Sequence, residues 1–308
     1  MDGGGIPIIP CARDERRSLW LRQRATILRH NPNFGLATCE YSTGMVRLFE
    51  GQYLANKVMA NAARQVICMA ILALHYNRDR RRSGAAMTCL QRVTSALGLC
   101  SKSTTALTVD LLENTGYVTR VPDEVDHRGL LIQPTEQLVS SAGEIVWISL
   151  SAADRMFPAR QYRAFMQSDG DFPERYFASS LHSLLNIDLS LVDERGSRLF
   201  ANSDSGTMLL CKLMSLRQSH SDTMVRFPFD EIANLYGVSR THIRRLMTSA
   251  AAEGLVRLRE LGGRWVEILP PLTEIFYKFV ASHVAKVQFD VHLANKDYDL
   301  LPPVDLCA

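Results

Sequence analysis

Apolar residues recur at Ile243, Leu246, Met247 and Ala250, the i, i+3, i+4, i+7 spacing of one buried helical stripe. Ser239 stands where an N-cap belongs and Gly254 where a helix stops. Upstream, Asp230 to Leu235 predicts a short helix with Ile232, Ala233 and Leu235 turned inward, and Gly237 supplies the turn between the two. Downstream, Leu255 to Arg259 and Trp265 to Leu269 read as strands joined through Gly262-Gly263, a hairpin signal.

Helix, turn, helix and hairpin in this order make a winged helix-turn-helix, whose second helix enters a major groove with its N-terminal side chains on base edges. Ser239, Arg240, Thr241, His242, Arg244 and Arg245 lie off the apolar stripe and are the candidate DNA contacts of that helix. Arg257 and Arg264 are the candidates on the wing. From Ser239 to Arg264 six arginines face two glutamates, a balance of +4. That sign neutralises phosphates, the main source of sequence-independent affinity. The reading is DNA binding, and its alternative is a winged helix that contacts only protein.

The same theme occurs earlier. Thr88 to Leu97 predicts a first helix, Gly98 a turn, Lys102 to Asn114 a second helix, Gly116 its stop, and 117–121 with 130–132 a wing. Gly98 and Gly237 are 139 residues apart, Gly116 and Gly254 138, and Pro134 and Pro271 137. The exits also match, IQPTE against ILPPLTE, which points to an internal duplication. The copies differ in charge: Ser101 to Arg128 holds three basic and five acidic residues, a balance of −2. Its second helix has a blurred apolar stripe and the copy carries one extra residue before Gly116. Lys102, Ser103, Thr104 and Thr105 are candidate base contacts there, with Arg120, His127 and Arg128 on the wing. The alternative is a copy that kept its fold for packing or partner binding.

The stretch LGLCSKSTTALTVDLLENTGYVTRVPDEVDHRGLLIQPTEQL at 97–138 resembles the winged helix of the MarR-type multiple-antibiotic-resistance regulators. The resemblance implies a helix beginning at a Ser/Thr cluster that reads the major groove. It also implies a wing whose Asp-x-Arg motif, here Asp126-His127-Arg128, touches the minor groove. The chain departs from that family in the extra residue near Ser101 and in Gln-Pro-Thr where Leu-Thr is usual. EIANLYGVSRTHIRRLMTSAAAEGLV is similar to both this type and the cyclic-AMP-receptor type. Two units in one chain depart from the one-per-chain dimer of MarR proteins. A single chain then imitates the two-fold dimer, or dimerises and presents four units.

Arg13 to His30 carries six arginines and reads as a helix packing Trp20 on the body, or as a basic arm along DNA. Residues 32–52 predict loops and turns, from Pro32, Gly35, Gly44 and Gly51. Leu54 to Tyr76 predicts one long buried helix, and Arg78, Arg80, Arg81 and Arg82 a charged turn after it. Ala152 to Gln167 and Tyr176 to Val192 predict two helices of a middle section. Their Met and aromatic residues read as core, the alternative being a small-molecule effector pocket. Leu272, Ile275, Phe276, Phe279, Val280, His283, Val284 and Val287 form a stripe over four turns that must be covered. In the resembled family terminal helices build the dimer, so a homodimer through this helix is expected. His283 reads as a core histidine.

Composition narrows the classes. With 46% hydrophobic and 22% charged residues the chain reads as an ordinary soluble protein, and a net charge of +3 argues nothing globally. Seven widely spaced cysteines include no CxxC and no Cys/His cluster, so no metal is expected and a reducing, cytoplasmic location is. Cys100 reads as an inert thiol, its alternative being an oxidant sensor. The longest apolar run, Val66 to Leu74, is too short to span a membrane. No GxSxG, HExxH, phosphate loop or dinucleotide fingerprint is found, so neither catalysis nor a cofactor is expected.

The expected fold is mainly α with small β-hairpin wings. A basic arm and loops (1–53) precede a first winged helix (54–143), a helical middle (144–203), a second winged helix (204–271) and a C-terminal helix and tail (272–308). The expected function is a sequence-specific transcription regulator on double-stranded DNA. A plasmid-type replication initiator, which also carries two winged helices, and an interaction module without DNA binding are the alternatives.

Overall fold

The computed structural model describes residues 14–77, 85–98, 100–124, 129–168, 170–186, 195–220, 223–260 and 263–295. It is mainly helical with two small antiparallel sheets of three strands each. The chain opens with α1 (Glu15–Arg29). The first half then runs α2 (Phe34–Phe49), α3 (Tyr53–Val58), α4 (Ala62–Tyr76), β1 (Ala85–Ala86), α5 (Met87–Ala96), α6 (Lys102–Asn114), β2 (Val118–Pro122), β3 (Leu130–Pro134) and α7 (Glu136–Met156). A 3-10 turn (Pro158–Arg160) and α8 (Tyr162–Ser168) lead to the second half. It runs α9 (Phe172–Asn186), α10 (Arg195–Ala201), α11 (Gly206–His220), β4 (Met224–Arg226), α12 (Phe229–Tyr236), α13 (Arg240–Ala252), β5 (Val256–Leu258), β6 (Trp265–Ile268) and α14 (Pro270–Asn295).

From α2 to α7 and from α9 to α14 the elements follow the same order. The sheets match as well, β1-β3-β2 and β4-β6-β5, with the last strand central in each. The halves interlock: α2 packs on α7 of its own half and on α11 of the other, while α9 packs on α14 and on α4. One apolar core therefore runs through both halves. A second, small cluster pins α1 to α14, with Trp20 on Phe289 at 5.2 Å between ring centroids, beside Leu21 and Leu293.

Several sequence expectations are corrected. Residues 32–52 are not loops, because α2 fills 34–49. Gly44 marks a close helix crossing, where a Cβ would stand 2.8 Å from Ile148 Cγ2 on α7. The long helix expected from Leu54 breaks at 59–61, and Asn61 Oδ1 caps the new start by accepting from Arg64 N–H at 3.2 Å. The helix expected over 152–167 is the end of α7, a turn at Pro158 and the short α8, since proline cannot continue α7. The expected end at Val192 lies outside the described residues; α9 is described to Asn186.

The stripe on α14 is covered within the chain: Leu272, Phe276, Val280 and Val284 are fully buried, and α1, α7 and α9 pack along the helix. The stripe is thus part of the chain's own core, where each such side chain contributes about 1.5–3 kcal/mol. His283 lies against Tyr41 and Phe279, and burial, then the charge of Lys286, pushes its pKa down to about 3. Phe157, Tyr162, Tyr176 and Phe177 are buried in the core, as expected, and Phe165 is half-buried against it. Phe172, expected in a break before a helix at Tyr176, is buried as the first residue of α9.

The hairpins are not matched in length. Val118 pairs with Pro134 and Val256 with Ile268, so the first hairpin is four residues longer and Pro134 corresponds to Ile268, not Pro271. The extra residue of the first half lies in the turn before Ser101, because α6 and α13 have 13 residues each.

Candidate functional site

α12 ends at Gly237, whose φ of 66° is left-handed, and its N–H donates to Ala233 O. Ser239 Oγ then accepts from His242 N–H at 3.0 Å and starts α13 as its N-cap. Ile243, Leu246, Met247 and Ala250 are buried, as their spacing predicts. Arg240, Thr241, Arg244, Arg245 and Thr248 remain exposed. Among the described residues no acid pairs with the guanidinium of Arg240, Arg244, Arg245 or Arg264. The helix thus carries three uncompensated cations on one solvent face, with Arg264 at the hairpin.

Two of the expected contacts of this half are already engaged. The His242 ring is held by Asp204 O, 2.9 Å from Nε2. Arg257 Nη1 donates to Glu267 Oε2 at 2.8 Å across the hairpin, and Arg259 Nε donates to the same oxygen at 2.9 Å. Glu267 lies just beyond Ser239–Arg264, so the wing is less cationic than the +4 of that stretch implies. Partial burial raises the Glu267 carboxyl, but the hydrogen bonds and charges of Arg259 and Arg257 outweigh it and hold it below its ordinary value. Trp265, 39% exposed beside Arg264, was not singled out by the sequence pattern, although strand alternation turns it outward between Arg264 and the buried Val266.

The first half differs at matched places. Ser101 Oγ caps α6 by accepting from Thr104 N–H at 3.1 Å, and the hydroxyls of Ser103 and Thr104 lie 2.8 and 2.9 Å from it. Lys102, Ser103 and Thr104 are exposed. Thr105 is not a base contact. It is fully buried, bonded to Thr94 Oγ1 at 2.9 Å and to Ser101 O at 3.1 Å. Arg120 is not free for phosphate either, because Asp110 and Glu113 both hold its guanidinium. Leu107, 70% exposed, stands on the outer face of α6. Asp126, His127 and Arg128 lie outside the described residues, as do Arg78, Arg80, Arg81 and Arg82.

Among the described residues no three or more His, Cys, Asp or Glu side chains cluster as a metal site, and no helix is long and apolar enough to cross a membrane. Cys68 and Cys211 are buried thiols whose pKa values burial pushes up to about 12. Cys100 is half-buried, 3.5 Å from Thr105 Oγ1. An open groove of about 590 Å³ beside Trp147 has its arginines paired, Arg155 with Glu40 and Arg163 with Asp154. No protein-family model matches the chain, and neither a curated protein nor a solved structure matches it significantly.

Proposed function

We propose that the chain is a sequence-specific regulator of transcription that binds double-stranded DNA through two fused winged helix-turn-helix units, the second of which reads the sequence. The observation that carries this reading is α13, a capped helix whose one solvent face bears Arg240, Arg244 and Arg245 without counter-charges. Arginine pairs with guanine through two parallel hydrogen bonds in the major groove, and a good pair discriminates by about 1–3 kcal/mol. Arg240 and Thr241 sit at the helix N-terminus, the end that approaches base edges in this motif. Arg264 and Trp265 place the hairpin on the flanking backbone. The MarR-type resemblance and the repeated order of elements support the same reading. The first unit shares one apolar core with the second. A cytoplasmic location agrees with Cys39, Cys68, Cys89, Cys100 and Cys211, which are free thiols.

Selection of bound duplexes from a random pool at two salt concentrations tests the reading. The expected result is an enriched motif, with Arg244→Ala/Arg245→Ala binding it at least about tenfold more weakly and with relaxed selectivity. Paired half-sites would indicate two copies on an operator, and iterated direct repeats would favour a replication initiator. Absence of enrichment, or an unchanged affinity in the double variant, would remove α13 as the reading helix.

A further inference from the structure

α3 belongs to the first half in sequence, yet it docks on the helix-turn-helix of the second. Gly51 N–H donates to Leu235 O of α12 at 2.9 Å. The Tyr53 ring lies over the turn, where a Cβ on Gly237 would come within 2.8 Å of its Cδ1. The far end of α3 is tied to α13 by a second route. Ser205 N–H donates to Ala60 O at 2.6 Å, Asn61 Nδ2 to Asp204 Oδ1 at 3.2 Å, and Asp204 O meets the His242 ring. α3 is thus bracketed against the turn and the first residues of α13.

What α3 shows to solvent is unusual for so short a helix. Tyr53 is 60% exposed although its ring is large and apolar. Lys57 follows at i+4, on the same face, and is exposed with no acid on its ammonium among the described residues. Arg64 donates from Nη1 to Lys57 O at 2.6 Å, which brings a second cation beside the first.

We infer that Tyr53 and Lys57 clamp a DNA phosphate beside the N-terminal end of α13. The inference rests on the DNA reading of α13. When a helix-turn-helix docks, the turn and the start of its second helix approach the groove, and the bordering phosphates take contacts that fix register without reading sequence. A lysine is a compact cation for a phosphate oxygen, and a tyrosine hydroxyl is a neutral donor beside it. The clamp lends an element of the first half to the site of the second, so DNA contact spans the interlock.

The test is titration of the selected duplex and of a scrambled one with Lys57→Gln, Tyr53→Phe and Lys57→Arg across a range of salt. Both side chains are exposed, so thermal unfolding is expected to be unchanged. Lys57→Gln should weaken both duplexes alike, by about fivefold at low salt, and lower the salt slope by about 0.9, the release of one phosphate contact. Tyr53→Phe should cost about twofold with the slope kept, and Lys57→Arg should restore the slope. Unchanged affinity and slope in Lys57→Gln, while Arg244→Ala/Arg245→Ala still loses selectivity, would overturn the clamp and leave the DNA reading standing. Failure of the wild-type chain to bind any duplex would overturn both.

Discussion

α6 and α13 begin at the same kind of cap, Ser101 and Ser239, and run for 13 residues each. They bury the same positions: Thr105, Thr108, Val109 and Leu112 in one, Ile243, Leu246, Met247 and Ala250 in the other. Their outer faces begin alike, with Lys102 and Ser103 against Arg240 and Thr241, and then diverge. Five and six residues past the cap, α13 carries Arg244 and Arg245 where α6 carries Ala106 and Leu107. Behind them, Arg120 of the first hairpin is held by two carboxylates, whereas Glu267 of the second is shared by two arginines. The inward face fixes the fold and leaves the outward face free to take either charge, so the fold alone does not assign the function.

The long helices that follow extend the comparison inward, and the largest effect is expected there. Sixteen and twenty residues after its first residue α7 holds Ala152 and Met156, and α14 holds Lys286 and Asp290, all buried. Lys286 Nζ lies 2.8 Å from Asp290 Oδ2. Burial pushes the Asp290 carboxyl up, and Lys286 opposes it. Removing one partner strands the other charge in the core. Asp290→Ala should therefore lower unfolding stability by roughly 3 kcal/mol or more. Lys286→Met/Asp290→Leu should return close to wild type, within about 1 kcal/mol, because the first half shows that apolar residues suit these places. Denaturant unfolding of both variants checks this. A double variant as weak as the single would mean that the ion pair is required in the second half.

The next effect tests whether charge is what separates the two faces. Ala106→Arg/Leu107→Arg gives α6 the cations of α13. DNA affinity at low salt should rise about tenfold, with the salt slope steeper by up to about 1.8, two further phosphate contacts. Titration with a non-specific duplex reads both quantities. No change would show that α6 is kept from the duplex by its place in the interlocked core, and that geometry rather than charge silences it.

The sequence shows one of these faces more clearly than the other, for physical reasons. Aliphatic residues on α13 make its stripe plain. On α6 two of the four positions are threonines, whose hydroxyls bond to carbonyls one turn back, Thr105 to Ser101 O at 3.1 Å and Thr108 to Thr104 O at 2.8 Å. Their burial is invisible to a pattern that counts them as polar, which is why Thr105 read as a base contact. Glycine misleads in the same way: Gly44 reads as a turn but serves a helix crossing with Ile148. The two-residue β1 and three-residue β4 carry too little periodicity to be seen, and pairing with β3 and β6 defines them. Tyr53 and Gly237 meet across the interlock, and no local spacing connects them.

The smallest effect concerns the hairpins. Glu267 occupies Arg257 and Arg259 together, leaving that cluster with one net positive charge, whereas Asp110 and Glu113 leave the cluster around Arg120 with one net negative charge. All of these side chains are at least partly exposed, so each pair contributes little to stability and can exchange partners readily. On the proposed DNA reading, a phosphate at the second hairpin would compete with Glu267 for Arg257 and Arg259. Glu267→Gln removes the competitor and keeps the shape. DNA should bind about threefold more tightly, with a salt slope steeper by about 0.9, while stability stays nearly the same. Salt titration of Glu267→Gln against wild type measures it. Weaker binding would give Glu267 the opposite role, orienting the arginines rather than occupying them. The hairpin of the second half would then resemble a held fork, as Arg120 is in the first, and the contrast between the halves would narrow to α6 and α13.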